Sequence, residues 1–319
     1  PKDDTGKTAT MSSVLLGNAD LVRVRSYLTH AGLNQGVVQI TKGLVKGLAD
    51  GDYLNIYTDP NIIPNPDVAW KRFDEYYSWL LGADNWLIEK KRLAFMLCAK
   101  LEMDNWGIKI QWFSIWHSKV QGVGKGLFAQ FVQSLFGYSN VAPNVKFKQM
   151  IGPHTTIIEG KQIIFLNEVV LENNTNKTKT LSNEFKDLIT EPNLFINPKN
   201  KPQIEIPNLC NFYVHSNSDT PLFIEDEDRR AFVINIKHSK ELVTHMLINE
   251  GYKDDILAVI EDPSGFKWHL LNEVPYDYKM FFDDAPFTQD KEELIQNNKG
   301  DFIQEMEERF QNEEFPFGD

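Results

Sequence analysis

Apolar residues recur at helical spacing through the first third of the chain. In residues 65–82 they fall on one stripe, which Asp67 would cap and Gly82 would end. This stripe consists of Val68, Phe73, Tyr76, Tyr77 and Leu80. Residues 85–103 repeat apolar positions every three or four residues in the same way. We therefore expect residues 1–105 to be mostly helical, with the aromatic stripe buried in a core or a subunit interface.

The pattern changes after Asn105 to short apolar runs rich in β-branched and aromatic residues, which are typical of strands. Four such runs span residues 106–118, 161–168, 209–217 and 231–236. Helical spacing separates them and returns from Lys240 onward, whereas residues 195–208 are polar and rich in turn formers. Strands that alternate with helices favour an α/β sheet over a β-sandwich.

Composition is that of a soluble globular protein, since 42% hydrophobic and 24% charged residues exclude a disordered or collagen-like chain. No apolar run approaches the ~20 residues that span a bilayer, and the acids near the start are unlike a secretory signal. Cys98 and Cys210 lack metal-binding spacing. We expect a cytoplasmic protein with no membrane partner. Pro1 fits both a processed terminus and a fragment of a longer protein.

Negative charge is concentrated at the C-terminal end. The formal net charge is −12, and residues 283–319 contribute −9 of it through twelve acids against three basic residues. The other 282 residues therefore carry only −3. The overall acidity does not exclude a local basic groove for nucleic acid.

The sequence KVQGVGKG, residues 119–126, joins a predicted strand to a predicted helix and favours phosphate binding. A triphosphate needs converging backbone N–H donors, a cation and the positive end of a helix dipole. Glycines permit the tight turn, and Lys125 supplies the cation. The candidate ATP-binding residues are Gln121, Gly122, Val123, Gly124, Lys125, Gly126 and Leu127. The alternative is a glycine-rich connection that binds no ligand.

This loop departs from the pattern G-x-x-x-x-G-K-[ST] at both ends. Lys119 replaces the first glycine, and Gly126 replaces the hydroxyl residue that would be a direct Mg²⁺ ligand. Metal binding would then depend on water and on Asn167 and Glu168, which follow the next predicted strand. Glu168 would also polarise the attacking water. The alternative for this pair is a strand end that leads into a solvated loop.

Polar residues suited to a γ-phosphate stand beside two further strands. Asn217 closes one strand and would orient water or sense the phosphate, although asparagine at such a place is often a turn residue. Arg229 and Arg230 directly precede the next strand. An arginine offered to the γ-phosphate of a neighbouring subunit stabilises transition-state charge. The alternative is that both arginines pair with the acids of residues 225–228.

Taken in order, these elements resemble superfamily 3 helicases, in particular the helicase module of phage and plasmid primase–helicases and primase–polymerases. The resemblance rests on QGVGKG, FLNE, HSNSDTPL and DRRAFVINI, with DYLNIYT upstream and FFDDAPFT downstream, and it covers residues 53–288. It implies an α/β fold with an AAA+-like P-loop NTPase core in three αβα layers. Together with the helical patterns at both ends, this divides the chain into an N-terminal helical domain for oligomerisation (1–105), the P-loop ATPase core (106–240) and a C-terminal helical extension with the acidic tail (241–319).

The same resemblance implies a ring-shaped homo-oligomer, a hexamer, with ATP bound between subunits and single-stranded DNA in the channel. Lys125 would contact the phosphates and Glu168 would be the catalytic carboxylate. Asn217 would be the sensor, and Arg229 or Arg230 would be the arginine finger. A covalently linked primase or polymerase domain is a further partner that such relatives imply.

The family also carries a DNA-contacting lysine hairpin between its second and third motifs. Lys199 and Lys201 occupy that interval here, and Phe195 beside them would stack on a base. The stretch from Lys146 to Lys201 holds eight lysines against six acids, a net +2 in an acidic chain. Few basic residues per subunit are enough when a ring repeats them around DNA. A solvated lysine turn is the alternative.

Three functions are consistent with these features. The first is an ATP-driven DNA helicase or translocase of phage or plasmid replication. The second is an oligomeric DNA-binding scaffold with weak or no ATP turnover, which the departures at Gly126 and Asn167 keep open. The third is a P-loop kinase for a small molecule, which a strictly monomeric chain would favour and which has no use for arginines offered across an interface.

Overall fold

The computed structural model describes most of the chain between residues 26 and 297. The described ranges are 26–28, 36–40, 51–55, 58–99, 109–150, 156–167, 175–197, 203–218, 221–222, 224–225, 227–275 and 277–297. Glu168, Lys199 and Lys201 lie outside them. Within these ranges, no helix is long and apolar enough to cross a membrane.

Three short strands lie in the region that was predicted to be mostly helical. β1 (Ser26–Leu28), β2 (Gly36–Ile40) and β3 (Gly51–Asn55) form one sheet in the order β1-β3-β2. β3 is parallel to β1 and antiparallel to β2. The helical prediction was wrong for these residues, because β2 is rich in β-branched side chains that favour extended backbone.

Two predicted helices follow these strands. α1 (Lys71–Leu81) buries most of the predicted stripe and ends at Gly82, whose φ is +84°. α2 (Ala83–Ala99) follows at once. Asp67 does not cap α1, because residues 65–68 form a turn in which the Asp67 N–H donates to Oδ1 of Asn65 and the Val68 N–H donates to the Asn65 carbonyl. The helix begins after Trp70 instead.

A parallel five-stranded sheet forms the centre of the described structure. The strands after β3 are β4 (Phe113–His117), β5 (Val141–Lys146), β6 (Ile163–Asn167), β7 (Asn193–Ile196), β8 (Ile204–Pro207), β9 (Asn211–Ser216) and β10 (Ala231–Asn235). β7 and β8 pair as an antiparallel hairpin, and the other five lie in the order β10-β4-β9-β6-β5. The four predicted strands of the sheet are confirmed. β5 was missed because Pro143 weakens its strand pattern, which an edge strand tolerates.

Helices cover both faces of this sheet. They are α3 (Lys125–Phe136), α4 (Phe147–Met150), α5 (Thr175–Thr190), α6 (Lys240–Thr244), α7 (Tyr252–Glu261) and α8 (Ser264–Asn272), with a further helical stretch over 289–297. One apolar cluster joins α1, α2, α3, α7 and α8 to the sheet, and a second joins α5 and the hairpin to its other face. This is the predicted three-layer α/β arrangement. α1 and α2, which precede the predicted domain boundary at 105/106, pack in the same apolar core as α3, which follows it.

The candidate residues lie at two opposite ends of the parallel strands. The carboxyl ends of β4 and β9 lie side by side, where the Ser118 N–H donates to the Ser216 carbonyl at 3.1 Å. In open parallel sheets, ligands bind at this carboxyl edge. The residues that precede β10 lie at the opposite, amino edge, because Ala231 pairs with Phe113 at the start of β4.

Candidate phosphate-binding site

The loop between β4 and α3 turns on two glycines in the left-handed region. Gly122 has φ +80°, and Gly124, the N-cap of α3, has φ +97°. A Cβ at Gly124 would lie 3.3 Å from the ring of Tyr76, so both the backbone angle and the space require glycine there. The strand, loop and helix that were predicted around these residues are all present.

The loop carries a row of unpaired backbone donors. Among the residues that the structure describes, none of the N–H groups from 121 to 127 donates a hydrogen bond, and the Phe128 N–H makes the first bond of α3, to Gly124. No side chain caps this helix. Val123 is only 1% exposed. Val123 and Gly124 are buried and Gly122 and Gly126 are exposed. Unpaired N–H groups at the start of a helix are suited to an acceptor such as a phosphate oxygen.

Lys125 lies beside the end of β9, where it meets the predicted sensor residue. Its ammonium donates to the Ser216 carbonyl at 2.6 Å and to Oδ1 of Asn217 at 2.7 Å. Burial lowers the pKa of Lys125 to about 8. His215 lies buried beside it, and burial followed by the lysine charge lowers the pKa of this imidazole to about 3. The structure thus brings Lys125 and Asn217 together, with a neutral histidine as their neighbour.

Two tyrosines of α1 donate hydrogen bonds to the loop, a role that no local sequence pattern predicted. The Tyr76 hydroxyl donates to the Val123 carbonyl at 3.0 Å, and the Tyr77 hydroxyl donates to the Gly124 carbonyl at 3.1 Å. Both side chains are fully buried. A buried phenol needs a hydrogen-bond partner, which was the one available hint that these residues do more than fill the core.

Gly126 occupies the first turn of α3 with free space around it. A Cβ built there would have no atom within 4 Å. A residue with a hydroxyl side chain could therefore stand at this position without a steric clash, although the sequence has glycine there. Leu127 packs partly buried against the core and contributes only its main chain to the loop.

Asn167 ends β6 at the same edge of the sheet but turns toward β5. Its amide donates to Oδ1 of Asn144 at 3.1 Å and to the Pro143 carbonyl at 3.3 Å. Its strand partner in β9 is His215. Glu168, the predicted catalytic carboxylate and metal ligand, lies outside the described residues, within which no three His, Cys, Asp or Glu side chains form a metal cluster.

Arg229 and Arg230 lie at the amino edge of the sheet, away from Lys125 of the same chain. The Phe113 N–H donates to the Arg230 carbonyl at 2.8 Å, at the start of β4. Two of the four acids before them bind another cation, because Lys186 of α5 lies 2.8 Å from Glu225 and 3.1 Å from Asp228. In the described part of the chain, the alternative of pairing between the arginines and these two acids is therefore not observed.

The hairpin of β7 and β8 stands where the DNA-contacting element was predicted. Leu194 and Ile196 face the core, whereas Phe195 points the other way and is 59% exposed. Lys199 and Lys201 lie between the two strands in the sequence, outside the described residues. The structure therefore provides an accessible aromatic side chain on this hairpin.

Comparison with known proteins identifies phage relatives. The model of a family described as "Family of unknown function (DUF5906)" matches residues 116–230, which include the loop and both arginines. Over 153 residues, 47% of this chain, the sequence is 32% identical to a "DNA Primase-polymerase" of Nitratiruptor phage NrS-1. That match covers 20% of the phage protein.

Solved structures of the NrS-1 C-terminal region resemble this fold. One apo structure has a TM-score of 0.66 at 21% identity and covers 86% of this chain and 60% of that one. The A form apo structure has a TM-score of 0.64 at 20% identity, with coverage of 90% and 64%. At such identity the likeness establishes the fold alone. The chain thus spans about a fifth of a homologous phage primase-polymerase and shares the α/β fold of that protein's C-terminal region.

Proposed function

We propose that this chain is an ATP-hydrolysing DNA helicase or translocase that acts in DNA replication as a ring-shaped oligomer, a hexamer. The observation that carries the proposal is the row of unpaired N–H groups from 121 to 127 around Lys125. Seven adjacent donors, a lysine and the start of a twelve-residue helix provide what a polyphosphate requires.

ATP would be bound by the loop from 121 to 127 together with Lys125. The N–H groups would hold the phosphate oxygens, and Lys125 would exchange its bonds to Ser216 and Asn217 for a phosphate. That exchange would release the Asn217 side chain to orient the attacking water. Mg²⁺, held through water by Asn167 and Glu168, would neutralise phosphate charge, and Glu168 would accept the proton of the water.

Arg229 and Arg230 would serve a nucleotide bound by the neighbouring subunit. Their position at the edge opposite Lys125 places them away from the nucleotide of their own chain. Lys186 binds Glu225 and Asp228, and this engagement of two of the four preceding acids supports a role for the guanidinium groups toward a phosphate. This arrangement supports a catalytic site that two subunits complete.

Single-stranded DNA would be bound by the β7–β8 hairpin. Phe195 offers an exposed ring for a base, and Lys199 and Lys201 would contact the backbone. Similarity to a primase-polymerase supports a nucleic-acid partner and a linked primase or polymerase domain.

A second candidate is an oligomeric DNA-binding scaffold with little turnover. It is favoured by the missing hydroxyl at Gly126 and by the commitment of the Asn167 amide to Asn144 and Pro143. In such a protein, nucleotide binding would stabilise the assembly without efficient hydrolysis.

Steady-state ATP hydrolysis with and without single-stranded DNA distinguishes the two candidates. For the helicase we expect Mg²⁺-dependent turnover that DNA stimulates, and a loss of about 100-fold or more in Lys125→Ala and Glu168→Gln. Lys240→Ala is the matched control, because Lys240 is an exposed lysine at the start of α6. Turnover that both site variants retain would contradict the proposal, and nucleotide binding without turnover would favour the scaffold.

A further inference from the structure

Helix α1 contacts the loop from 121 to 127 through two buried hydrogen bonds. We propose that Tyr76 and Tyr77 are positioning residues for polyphosphate binding, because they hold two consecutive loop carbonyls inward and thereby turn the following N–H groups outward. The inference rests on the proposed function in one respect, namely that residues 121–127 bind phosphate groups. It goes further by assigning control of that binding to a helix that lies upstream of the loop.

Peptide geometry links each phenol to a phosphate donor. In a trans peptide unit, the carbonyl of one residue and the N–H of the next point in opposite directions. The Val123 carbonyl points toward Tyr76, so the Gly124 N–H points away from α1. The Gly124 carbonyl points toward Tyr77 and also accepts from the Phe128 N–H, so the Lys125 N–H points outward at the start of α3.

The contacts of the two rings leave the loop little freedom. The Tyr76 ring occupies the space next to Gly124 and lies 5.8 Å from the ring of Tyr252 in α7. Tyr77 packs on Phe128 of α3 at 5.5 Å. Burial raises the pKa of both phenols above the usual value, so both remain protonated donors at neutral pH.

Without the phenols, the Val123 carbonyl would lose its partner and the Gly124 carbonyl would keep only the bond from the Phe128 N–H. The peptide unit between Val123 and Gly124 would then be free to rotate. A peptide flip at Val123–Gly124 would exchange an outward N–H for an outward carbonyl, and a carbonyl repels a phosphate oxygen. Glycine at positive φ makes such a flip accessible. The two hydroxyls therefore select the conformation that accepts an anion over one that rejects it.

Binding of inorganic tripolyphosphate, which carries no base or sugar, tests this inference by titration calorimetry. In Tyr76→Phe and Tyr77→Phe we expect the Kd for tripolyphosphate to rise by about 3- to 10-fold each, since one hydrogen bond to each carbonyl is lost. Tyr252→Phe is the matched control, because its hydroxyl lies at the surface, 3.5 Å from Glu75, and touches no loop carbonyl. Its Kd should equal that of the wild type.

The thermal midpoint of each variant separates positioning from plain stabilisation of the fold. If a phenol only stabilises the core, the midpoint falls while the Kd for tripolyphosphate stays at the wild-type value, and the inference is overturned. If one variant does not fold, the other carries the test, because each phenol holds its own carbonyl. Unfolding of both variants would assign the hydroxyls to the fold and overturn the inference as well.

Binding of tripolyphosphate and ATP by the wild type distinguishes failure of the proposed function from failure of the inference about the tyrosines. A wild type that binds neither tripolyphosphate nor ATP contradicts the proposed function and the inference with it. A wild type that binds both, beside Tyr→Phe variants that bind equally well, leaves the proposed function intact and overturns the role of the tyrosines alone.

Discussion

Lys125 is the residue at which burial and charge matter most for the proposed site. It is held between the Ser216 carbonyl and Oδ1 of Asn217, with no acidic side chain among the described residues to offset its desolvation. An incoming phosphate would supply the missing negative charge. The lowered pKa agrees with the proposed role of Lys125 as the cation that meets a phosphate.

The affinity for ATP should fall as the pH rises through 8. Burial lowers the pKa of Lys125 to about 8, so the ammonium is present below that pH and is lost above it. Between pH 7 and pH 9 the charged fraction drops about tenfold, and the Kd for ATP should rise by about the same factor. Lys125→Arg keeps its charge throughout this range and should give a nearly flat profile. A flat wild-type profile, or an equal slope in the arginine variant, would contradict this role for Lys125.

Restoring a hydroxyl at Gly126 should strengthen the dependence of turnover on Mg²⁺. The space around this residue accepts a Cβ without contact, so Gly126→Ser adds a candidate metal ligand at little structural cost. We expect the Mg²⁺ concentration for half-maximal ATP hydrolysis to fall several-fold in the serine variant. Gly126→Ala adds the Cβ alone and serves as the control. Equal behaviour of the two variants would show that the hydroxyl position is not near the metal.

At the residue scale, the sequence predicted the site residues that lie within one contiguous segment or at a strand end. It missed the side chains that reach the site from distant segments. Lys125 and its glycines were found because the loop is one contiguous segment, and Asn217 because it ends a recognisable strand. Tyr76 and Tyr77 lie 47 positions before their carbonyl partners, so no local pattern could place them there. The turn of Asn167 toward Asn144 depends on β5, which the sequence pattern did not reveal.

Among the elements, α2 carries a buried ion pair that makes hydrogen bonds to β4 and β9, the two strands that end at the candidate site. Glu89 and Arg92 are fully buried, with Nη1 of Arg92 at 3.8 Å from Oε2 of Glu89. Glu89 accepts hydrogen bonds from Trp116 and Ser114 of β4, and Arg92 donates to the Phe212 carbonyl of β9 at 2.8 Å. The guanidinium also stacks on Tyr213 at 4.1 Å. The relative position of β4 and β9 is thereby tied to α2.

Removal of Arg92 should destabilise the protein strongly. Arg92→Met leaves the charge of Glu89 buried and unpaired, which costs about 3–5 kcal/mol in the free energy of unfolding. The matched control is Arg72→Met, whose ion pair with Asp255 is exposed and should contribute little. Urea unfolding followed by circular dichroism measures both. A loss in Arg92→Met no larger than that of the control would contradict the structural role of the pair.

Element by element, the sequence predicted the strands and helices with strong periodicity. β4, β6, β9, β10, α1, α2 and α3 follow from runs of apolar residues at spacing 2 or 3.6 and from glycine stops. β1, β2 and β3 are short, and β5 contains Pro143 and Asn144, so their stability comes from pairing with other strands. Pairing partners distant in sequence are not visible in one-dimensional periodicity.

On the scale of the whole molecule, the two groups proposed to act on one ATP lie at opposite edges of the sheet. Lys125 follows the carboxyl end of β4, and the arginines precede the amino end of β10, its parallel neighbour. A five-residue strand separates the two edges by roughly 17 Å. At this separation the two groups would not reach the same phosphate within one subunit, so the proposed active site would be completed by a second subunit.

Mixing two inactive variants should restore ATP hydrolysis. In an assembly of Lys125→Ala and Arg229→Ala/Arg230→Ala subunits, some interfaces combine an intact loop with intact arginines. We expect each variant alone to lose most activity and the equimolar mixture to regain a measurable part of it, together with an oligomeric mass by light scattering. A mixture with no more activity than its parts, or a monomer with full turnover, would contradict the shared site and favour a small-molecule kinase.

The most direct test of the central claim is a crystal structure with ADP and Mg²⁺ bound. The account predicts phosphate oxygens within hydrogen-bond distance, about 2.7–3.2 Å, of the N–H groups of Gly124, Lys125 and Gly126, with the Lys125 ammonium moved from Asn217 to a phosphate. A nucleotide bound away from residues 121–127, or a loop whose N–H groups turn inward and leave no room for phosphate, would contradict it.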